Sequence, residues 1–318
     1  MSVAVSAAPP RHPARMAVAA PLARATIIAW LLICVATSSF AGSRPAIRHE
    51  LPVEGTTLAL WEKRAGTPRS TLLLVHGRTW SALPNFDLHV AGEQRSIMDA
   101  LVNEGFAVYA LDLRGYGGSA RDASGWLTPE RAADDVQIAL AWINHANPRA
   151  PRHAALVGYS RGAQVALLAA QQHPESISAL VLFGFPTSVR LSPVADEPLR
   201  EPNTAANAAS DFITPGAASP QVVAAYVAQA LAANPVRTDW RDERQFVFAP
   251  EKITMPTLVL YGARDPFLIP DSVSFFAALG TSDRAFVVLP ESDHAAHVEN
   301  SRRAWIAAIV AFLRQPRT

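Results

Sequence analysis

The stretch that most limits what this chain can fold into is His153-Ala-Ala-Leu-Val-Gly-Tyr-Ser-Arg-Gly-Ala-Gln-Val-Ala-Leu-Leu-Ala-Ala170. Ala154 to Val157 is a short apolar run of the kind that forms a strand buried on both faces. A sharp turn follows through Gly158-Tyr159-Ser160-Arg161-Gly162, and the chain continues as a helix rich in Ala, Val and Leu. Strand, tight turn and helix in that order lift the Ser160 hydroxyl to the tip of the turn, above the sheet edge. Gly158 and Gly162 are small where the two arms of the elbow pass close together. The helix starts beside Ser160, so its unsatisfied N–H groups and its dipole face any negative charge developing near that oxygen. Alone, the G-x-S-x-G pattern is weak, because it arises by chance in about one chain in ten of this length. Its meaning depends on partners further along.

The chain has 318 residues, half of them apolar, which is ample for one large domain with a buried core. A net charge of +1 gives no reason to expect a nucleic acid or an anionic membrane as partner. Almost all the positive charge is arginine, Lys63 and Lys252 being the only lysines. The single cysteine, Cys34, lies in an N-terminal apolar segment, which excludes a disulfide, a thiolate zinc site or a cysteine nucleophile from the rest.

Residues 1–41 read as a signal peptide. Arg11, Arg15 and Arg24 make a basic start, Ala25 to Val35 is apolar, and Ser39-Phe40-Ala41 supplies the small residues a signal peptidase needs. Met16 offers a shorter start. The competing reading is an uncleaved anchor, against which the apolar run is short of the about 20 residues that span a bilayer. A lipid-modified Cys34 is disfavoured by Ile33, which stands where a small residue is wanted. The mature chain, from near Gly42, is expected to be secreted or periplasmic, with no stable membrane partner.

His49 to Val53 and Thr56 to Lys63 read as two extended segments of a hairpin around Glu54-Gly55. Thr71 to Val75 is the first strongly buried strand and runs into His76-Gly77-Arg78-Thr79-Trp80. Gln94 to Asn103 has helical apolar spacing at Ile97, Leu101 and Val102, and Gly105 stops it. Phe106 to Leu111 is the next strand. Thr128 caps a helix with Pro129 at its first position, running to about His145. Ala179 to Phe183, Thr257 to Tyr261 and Ala285 to Leu289 are further strands, and Trp305, Ile309 and Phe312 form one stripe of a C-terminal helix. Strands alternating with helices imply an α/β fold with a mostly parallel sheet covered on both faces. Residues 186–250 interrupt the alternation with a Pro-, Ala- and Asn-rich loop, a helix from Ser219 and Pro220 to about Ala233, and Trp240, Phe246 and Phe248. An insertion of this size fits a cap or lid. It divides the core into 42–185 and 251–318.

A serine hydroxyl is a poor nucleophile until a base removes its proton, and the base needs an orienting carboxylate. In a site on top of a sheet these come from loops at the C-terminal ends of strands. Asp265 follows the strand Thr257 to Tyr261 through Gly262-Ala263-Arg264. His294 follows the strand Ala285 to Leu289 through Pro290-Glu291-Ser292-Asp293.

On these motifs the chain resembles the α/β-hydrolase superfamily, in its serine esterase-like form with a helical cap after the sixth strand. The matching stretches are His76-Gly77, Asp112-Leu-Arg-Gly-Tyr-Gly-Gly-Ser119, Gly158-Tyr-Ser-Arg-Gly162, Gly262-Ala-Arg-Asp-Pro266 and Asp293-His-Ala-Ala-His-Val-Glu299. The chain order Ser160, Asp265, His294 is the one that family shows. The resemblance implies Ser160 as nucleophile, Asp265 as the acid, and His294 rather than His297 as the base. It also implies an oxyanion hole made by the backbone N–H groups of Arg161 and of Arg78, with Thr79 the second choice for the latter. Trp80, Tyr159, Trp240, Phe246 and His297 are expected around the substrate pocket, His297 at its rim or packed behind it. His76 is expected to hold its loop, and Asp112 and Arg114 to brace the turn after their strand. Arg78 and Arg161 flank one small volume, which raises the idea of an anionic substrate group. That both point to solvent or pair with nearby acids is the preferred alternative.

The function expected is hydrolysis of a small-molecule carboxylic ester or lactone through an acyl-enzyme, with no metal or organic cofactor. His294 and His297 as a metal pair lack further ligands nearby. The same framework serves amide hydrolysis of the aminopeptidase kind, carbon–carbon bond hydrolysis and acyl transfer. Epoxide hydrolases and haloalkane dehalogenases of this family carry an aspartate where Ser160 stands. A non-enzymatic binding protein is the rival from another class, disfavoured because all three catalytic positions are filled.

Overall fold

The computed structural model describes residues 45–68, 70–150, 153–189 and 195–316; the expected signal peptide, 1–41, lies outside the described residues. Eight strands form one sheet: β1 (Ile47–Val53), β2 (Thr56–Lys63), β3 (Ser70–Val75), β4 (Phe106–Leu111), β5 (Ala155–Tyr159), β6 (Leu180–Phe183), β7 (Thr257–Gly262) and β8 (Arg284–Leu289). Their order across the sheet is β1-β2-β4-β3-β5-β6-β7-β8. The β1–β2 hairpin turns at Gly55, whose φ of 75° suits glycine. It joins antiparallel to β4, and every pairing from β4 to β8 is parallel.

The strand sequences explain why both faces are covered. In β3, Leu72 and Leu74 point one way and Leu73 and Val75 the other, and all four are fully buried. The first pair packs with α1 (Ala82–Phe86), α2 (Ile97–Asn103) and, through Trp305 and Ile309, the C-terminal helix. The second pair packs with α3 (Pro129–Ala146) and α4 (Arg161–Gln172). A side chain fully removed from water contributes about 1.5–3 kcal/mol at each such position. The sheet is thus mostly parallel with helices on both faces, as expected.

Between β6 and β7 lie α5 (Ala205–Ala209) and α6 (Pro220–Ala233), followed by a short strand, Asp239–Trp240. Ala208, Val222, Tyr226 and Ala230 bury against Trp80, Leu88 and Val90 of the core. Asp239–Trp240 pairs with Trp126–Leu127 in a two-stranded parallel ribbon, a second tie between insertion and core. After β7 come α7 (Pro270–Ala277) and, past β8, α8 (Arg302–Leu313).

Differences from the sequence reading are local. The helix expected from Gln94 begins at Ile97, because the Ser96 hydroxyl accepts the Asp99 N–H at 2.9 Å and caps it. Helices α1, α5 and α7 and the ribbon carry no sequence expectation. Two of the helices are only five residues long, below what apolar periodicity can register.

Candidate active site

Parallel pairing brings the C-terminal ends of β3, β5, β6, β7 and β8 to one edge of the sheet. Val75 stands beside Gly158, Tyr159 beside Phe183, Phe183 beside Leu260, and Gly262 beside Leu289. The loops that leave these ends therefore share one small volume.

At β5 the chain turns through Ser160, whose φ of 53° and ψ of −119° lie in a region non-glycine residues rarely occupy. The turn is tight enough that a Cβ at Gly162 would lie 2.3 Å from the carbonyl oxygens of Val75 and His76. One at Gly158 would lie 2.5 Å from Ala163 Cα. Glycine at both positions is a packing requirement, and the strain at Ser160 is the local cost of presenting its side chain above the sheet.

His294 and Asp265 arrive from the two neighbouring loops. These loops are stitched together by Ala263 N–H to the Leu289 carbonyl at 2.8 Å and Arg264 N–H to the Ser292 carbonyl at 2.9 Å. His294 Nε2 lies 2.9 Å from Ser160 Oγ. His294 Nδ1 lies 3.2 Å and 3.1 Å from the two carboxylate oxygens of Asp265. The Asp265 side chain is fully buried and that of His294 is 13% exposed. Asp265 also accepts the Phe267 N–H at 2.9 Å, which fixes the carboxylate plane. A carboxylate at Nδ1 keeps the proton on that nitrogen and leaves the Nε2 lone pair free to accept from the serine hydroxyl. The arrangement can move a proton from Ser160 to His294 and stabilise the resulting imidazolium.

The β3 loop lies against the elbow, since a Cβ at Gly77 would be 3.4 Å from Ser160 Cβ. Leu113 N–H donates to His76 Nε2 at 3.1 Å, so the His76 proton sits on Nδ1, where it donates to the Gly77 carbonyl at 2.8 Å. In a trans peptide the next N–H, that of Arg78, points away from that carbonyl. Burial lowers His76 to about 4, which keeps the ring neutral in this bridging role. Asp112 accepts from Trp61 Nε1, Ala82 N–H and Gly118 N–H, each at 2.8 Å. Arg114 binds Asp135 at 3.1 Å and 2.8 Å. Both hold the loops in place and neither touches Ser160.

The side chains of Arg78 and Arg161 converge on one acid, Glu243, from the insertion. Arg161 Nη2 reaches Glu243 Oε1 at 2.8 Å, and Arg78 Nη1 binds the same oxygen. The Arg161 guanidinium also lies over Trp240 and Phe246, 5.5 Å and 4.9 Å from the ring centroids. Burial, with the Arg78 charge adding to it, lowers Arg161 to about 10. Of the two readings of these arginines, pairing with a nearby acid is the one observed. Trp240 and Phe246 are accordingly buried beneath Arg161, and Trp80 is buried among Leu88, Val90 and Tyr226.

Of the two places expected for His297, at the pocket rim or packed behind it, the packed one is observed, and Tyr159 packs there with it. Tyr159 stacks on Phe183 at 5.3 Å and lies 4.3 Å from the His297 ring. His297 is 1% exposed, contacts Asn85 Oδ1 through Nε2 at 3.2 Å, and packs against Phe86, Phe183 and Trp305. Burial, reinforced by the neighbouring His294, lowers it to about 3, so it is a neutral core residue beneath the His294 loop.

Four residues at the site carry no sequence expectation. Glu243 holds the arginines. Gly184, at φ 57°, leaves room for the imidazole, since a Cβ there would be 2.8 Å from His294 Nδ1. Phe267 sets its edge against the His294 ring at 4.9 Å. Asp211 receives the Tyr226 hydroxyl at 3.0 Å, and burial raises it to about 6. Of these only Gly184 has a local signal, a glycine directly after a buried strand.

The strand order, the strained serine turn and the histidine and acid on the last two loops define an α/β-hydrolase. The profile of the serine aminopeptidase S33 family matches residues 66–301, and the chain belongs to that family. A comparison with curated protein sequences gives no match. Among solved structures, it is similar to the thioesterase domain from the curacin biosynthetic pathway, with 19% identity over 84% of this chain and 100% of that one and a TM-score of 0.60. A hydrolase from Pseudomonas aeruginosa matches at 24% identity over 84% and 98%, TM-score 0.59. Epoxide hydrolase A from Mycobacterium thermoresistibile matches at 21% over 85% and 98%, TM-score 0.57. Likeness at these identities speaks to the fold, on which a thioesterase and an epoxide hydrolase both stand.

Proposed function

We propose that this protein is a secreted serine hydrolase cleaving a small-molecule carboxylic ester or lactone through an acyl-enzyme on Ser160. The observation that supports this is the continuous line Ser160 Oγ, His294 Nε2, His294 Nδ1, Asp265. His294 takes the Ser160 proton as Oγ attacks the substrate carbonyl carbon. The carbonyl oxygen becomes an oxyanion facing the N–H groups of Arg78 and Arg161. The tetrahedral intermediate collapses, the alkoxide leaves with the proton from His294, and an ester to Ser160 remains. Water then loses a proton to His294, attacks the acyl carbon, and returns Ser160 and the carboxylic acid. For a lactone the leaving alkoxide stays attached to the acyl chain, and the same two steps give one hydroxy acid.

The test is a panel of p-nitrophenyl esters and lactones of graded acyl length beside Ser160→Ala, with fluorophosphonate labelling of both proteins. Turnover and labelling in the parent, both lost in Ser160→Ala, are expected. A parent that is neither labelled nor active overturns the reading. The family's description as serine aminopeptidases supports a second reading, an amide substrate with a free amine, and aminoacyl p-nitroanilides added to the panel decide between the two. Secretion rests on the basic, apolar and small-residue pattern of 1–41. A mature N-terminus near Gly42 in the extracytoplasmic fraction is the expected mass-spectrometric result, and a retained leader contradicts it.

A further inference from the structure

We infer that Glu243 is a positioning residue for the oxyanion hole, through which the insertion sets the geometry of the two residues that flank the reacting carbonyl. The inference rests on the proposed reading of Ser160 as nucleophile. Arg78 and Arg161 come from different strand ends, and each is assigned one backbone N–H of the hole. Glu243 is the point at which their side chains meet, both binding the same carboxylate oxygen. Its side chain is 5% exposed, so these charge-assisted bonds are little weakened by water.

A second grip comes from the same segment. Trp240 Nε1–H donates to Tyr116 Oη at 2.8 Å, and Tyr116 O–H in turn donates to the Arg78 carbonyl. Arg78 is thus held at its guanidinium by Glu243 and at its carbonyl by a relay that starts three residues before Glu243. His76 holds the preceding carbonyl, that of Gly77. With the peptide carbonyls on both sides of Arg78 tied, the direction of its N–H is determined, and two of the three ties depend on residues 240–243.

The local backbone is built for this placement. Asp242 adopts φ 55° and ψ 31°, the left-handed region, immediately before Glu243. Asp tolerates that conformation better than most residues, because its short polar side chain can hydrogen-bond locally. Parallel pairing of Asp239–Trp240 with Trp126–Leu127 anchors the segment on its N-terminal side. On the far side Phe246 packs under the Arg161 guanidinium. Movement of residues 240–246 would therefore be felt at Arg78 and Arg161.

The experiment compares the parent with Glu243→Gln, Glu243→Asp and Tyr116→Phe on a p-nitrophenyl ester. Rates are divided by the number of sites that a fluorophosphonate labels to completion, so partial misfolding does not count as lost catalysis. Affinity for an alkyl trifluoromethyl ketone, whose serine adduct carries the oxyanion, is measured beside KM. Complete loss of one oxyanion donor lowers kcat about a hundred- to a thousand-fold. Misaiming one is expected to lower kcat per labelled site about ten- to a hundred-fold in Glu243→Gln, with KM within about three-fold and ketone affinity falling in step with kcat. Glu243→Asp, whose shorter arm keeps one arginine, is expected to recover part of the loss, and Tyr116→Phe to lose less than Glu243→Gln. An unchanged kcat per labelled site in Glu243→Gln overturns the inference, as does a loss confined to KM or to the melting temperature. A parent that takes no label overturns the serine reading itself, and the inference with it, which separates the two failures.

Discussion

Asp265 meets the reacting atoms only through His294 Nδ1, and both carboxylate oxygens lie within 3.2 Å of that nitrogen. Replacing it with Asn keeps the size but substitutes an amide, which can turn N–H toward the ring and favour the wrong tautomer. Asp265→Asn is expected to lower kcat by about ten thousand-fold while the protein folds, with KM little changed; steady-state kinetics beside a thermal melt checks this, and a loss under ten-fold contradicts the orienting role. A second carboxyl, Glu299, lies behind His294. Burial raises it to about 8, helped by its bond to Asp293 and by that residue's charge. Asp293, bonded by Glu299 and by the N–H groups of Ala295 and Thr214, is held below its ordinary value despite its own burial. Because the folded value of Glu299 lies above the ordinary 4.5, its contribution to stability is complete below that pH and is lost as pH rises through about 8. Glu299→Gln, which keeps a donor and has no proton to lose, should gain on the parent in urea stability between pH 5 and pH 8. A stability difference that does not move over that range contradicts a Glu299 kept protonated by its burial and by Asp293.

At the scale of elements, the strand ends position the site, and two glycines separate its contributions to folding and to chemistry. Gly162 faces backbone: its missing Cβ would strike the carbonyls of β3 and its loop at 2.3 Å, and neither can move without dismantling the sheet edge. Gly184 faces side chains: a Cβ there would lie 2.8 Å from His294 Nδ1 and 3.1 Å from Asp265 Oδ2. Gly162→Ala should therefore fail to give soluble folded protein. Gly184→Ala should fold with a melting temperature a few degrees lower, consistent with roughly 1–2 kcal/mol for its positive φ. It should nevertheless lose at least about a hundred-fold in kcat as the imidazole is pushed off its acid, a misplacement of about 1 Å being enough for that. Equal activity in Gly184→Ala and parent would mean that the His294 loop relaxes freely around the new methyl. The same contrast shows what the sequence discloses at this scale. The elbow is legible because strand, turn and helix are contiguous, and the β7 and β8 loops because each follows a recognisable apolar run. Gly184 follows one too, but a lone glycine after a strand has many meanings until the histidine from 110 positions further on is seen above it.

Across the whole molecule, what the sequence conceals is pairing over distance. The meeting of Glu243 with Arg78 and Arg161 joins positions 165 and 82 residues apart, and no periodicity or local motif encodes it. The place of His297 stays open in the sequence for a related reason: its spacing from His294 allows the pocket rim or a packed position, and its burial depends on Asn85, Phe86, Phe183 and Trp305, drawn from three other parts of the chain. That burial has a global consequence. His76 and His297, lowered to about 4 and about 3 by burial, must both be neutral in the folded protein, whereas each takes up a proton near pH 6.5 once unfolded. Depressed folded values mean that their contribution is complete above pH 6.5 and is lost as pH falls toward 4 and then 3. While both are neutral in the fold and charged in the unfolded chain, each contributes a slope of about 1.4 kcal/mol per pH unit. His297→Gln, which retains a donor toward Asn85, is expected to be less stable than the parent at pH 7 because it packs less well. It should then close that gap as pH is lowered from 6.5 to 4, since it has removed one of the protons that acid unfolding takes up. Urea titrations at half-unit intervals measure the gap directly. If it stays constant or widens on acidification, His297 is charged in the folded protein and the neutral core beneath the His294 loop is wrong.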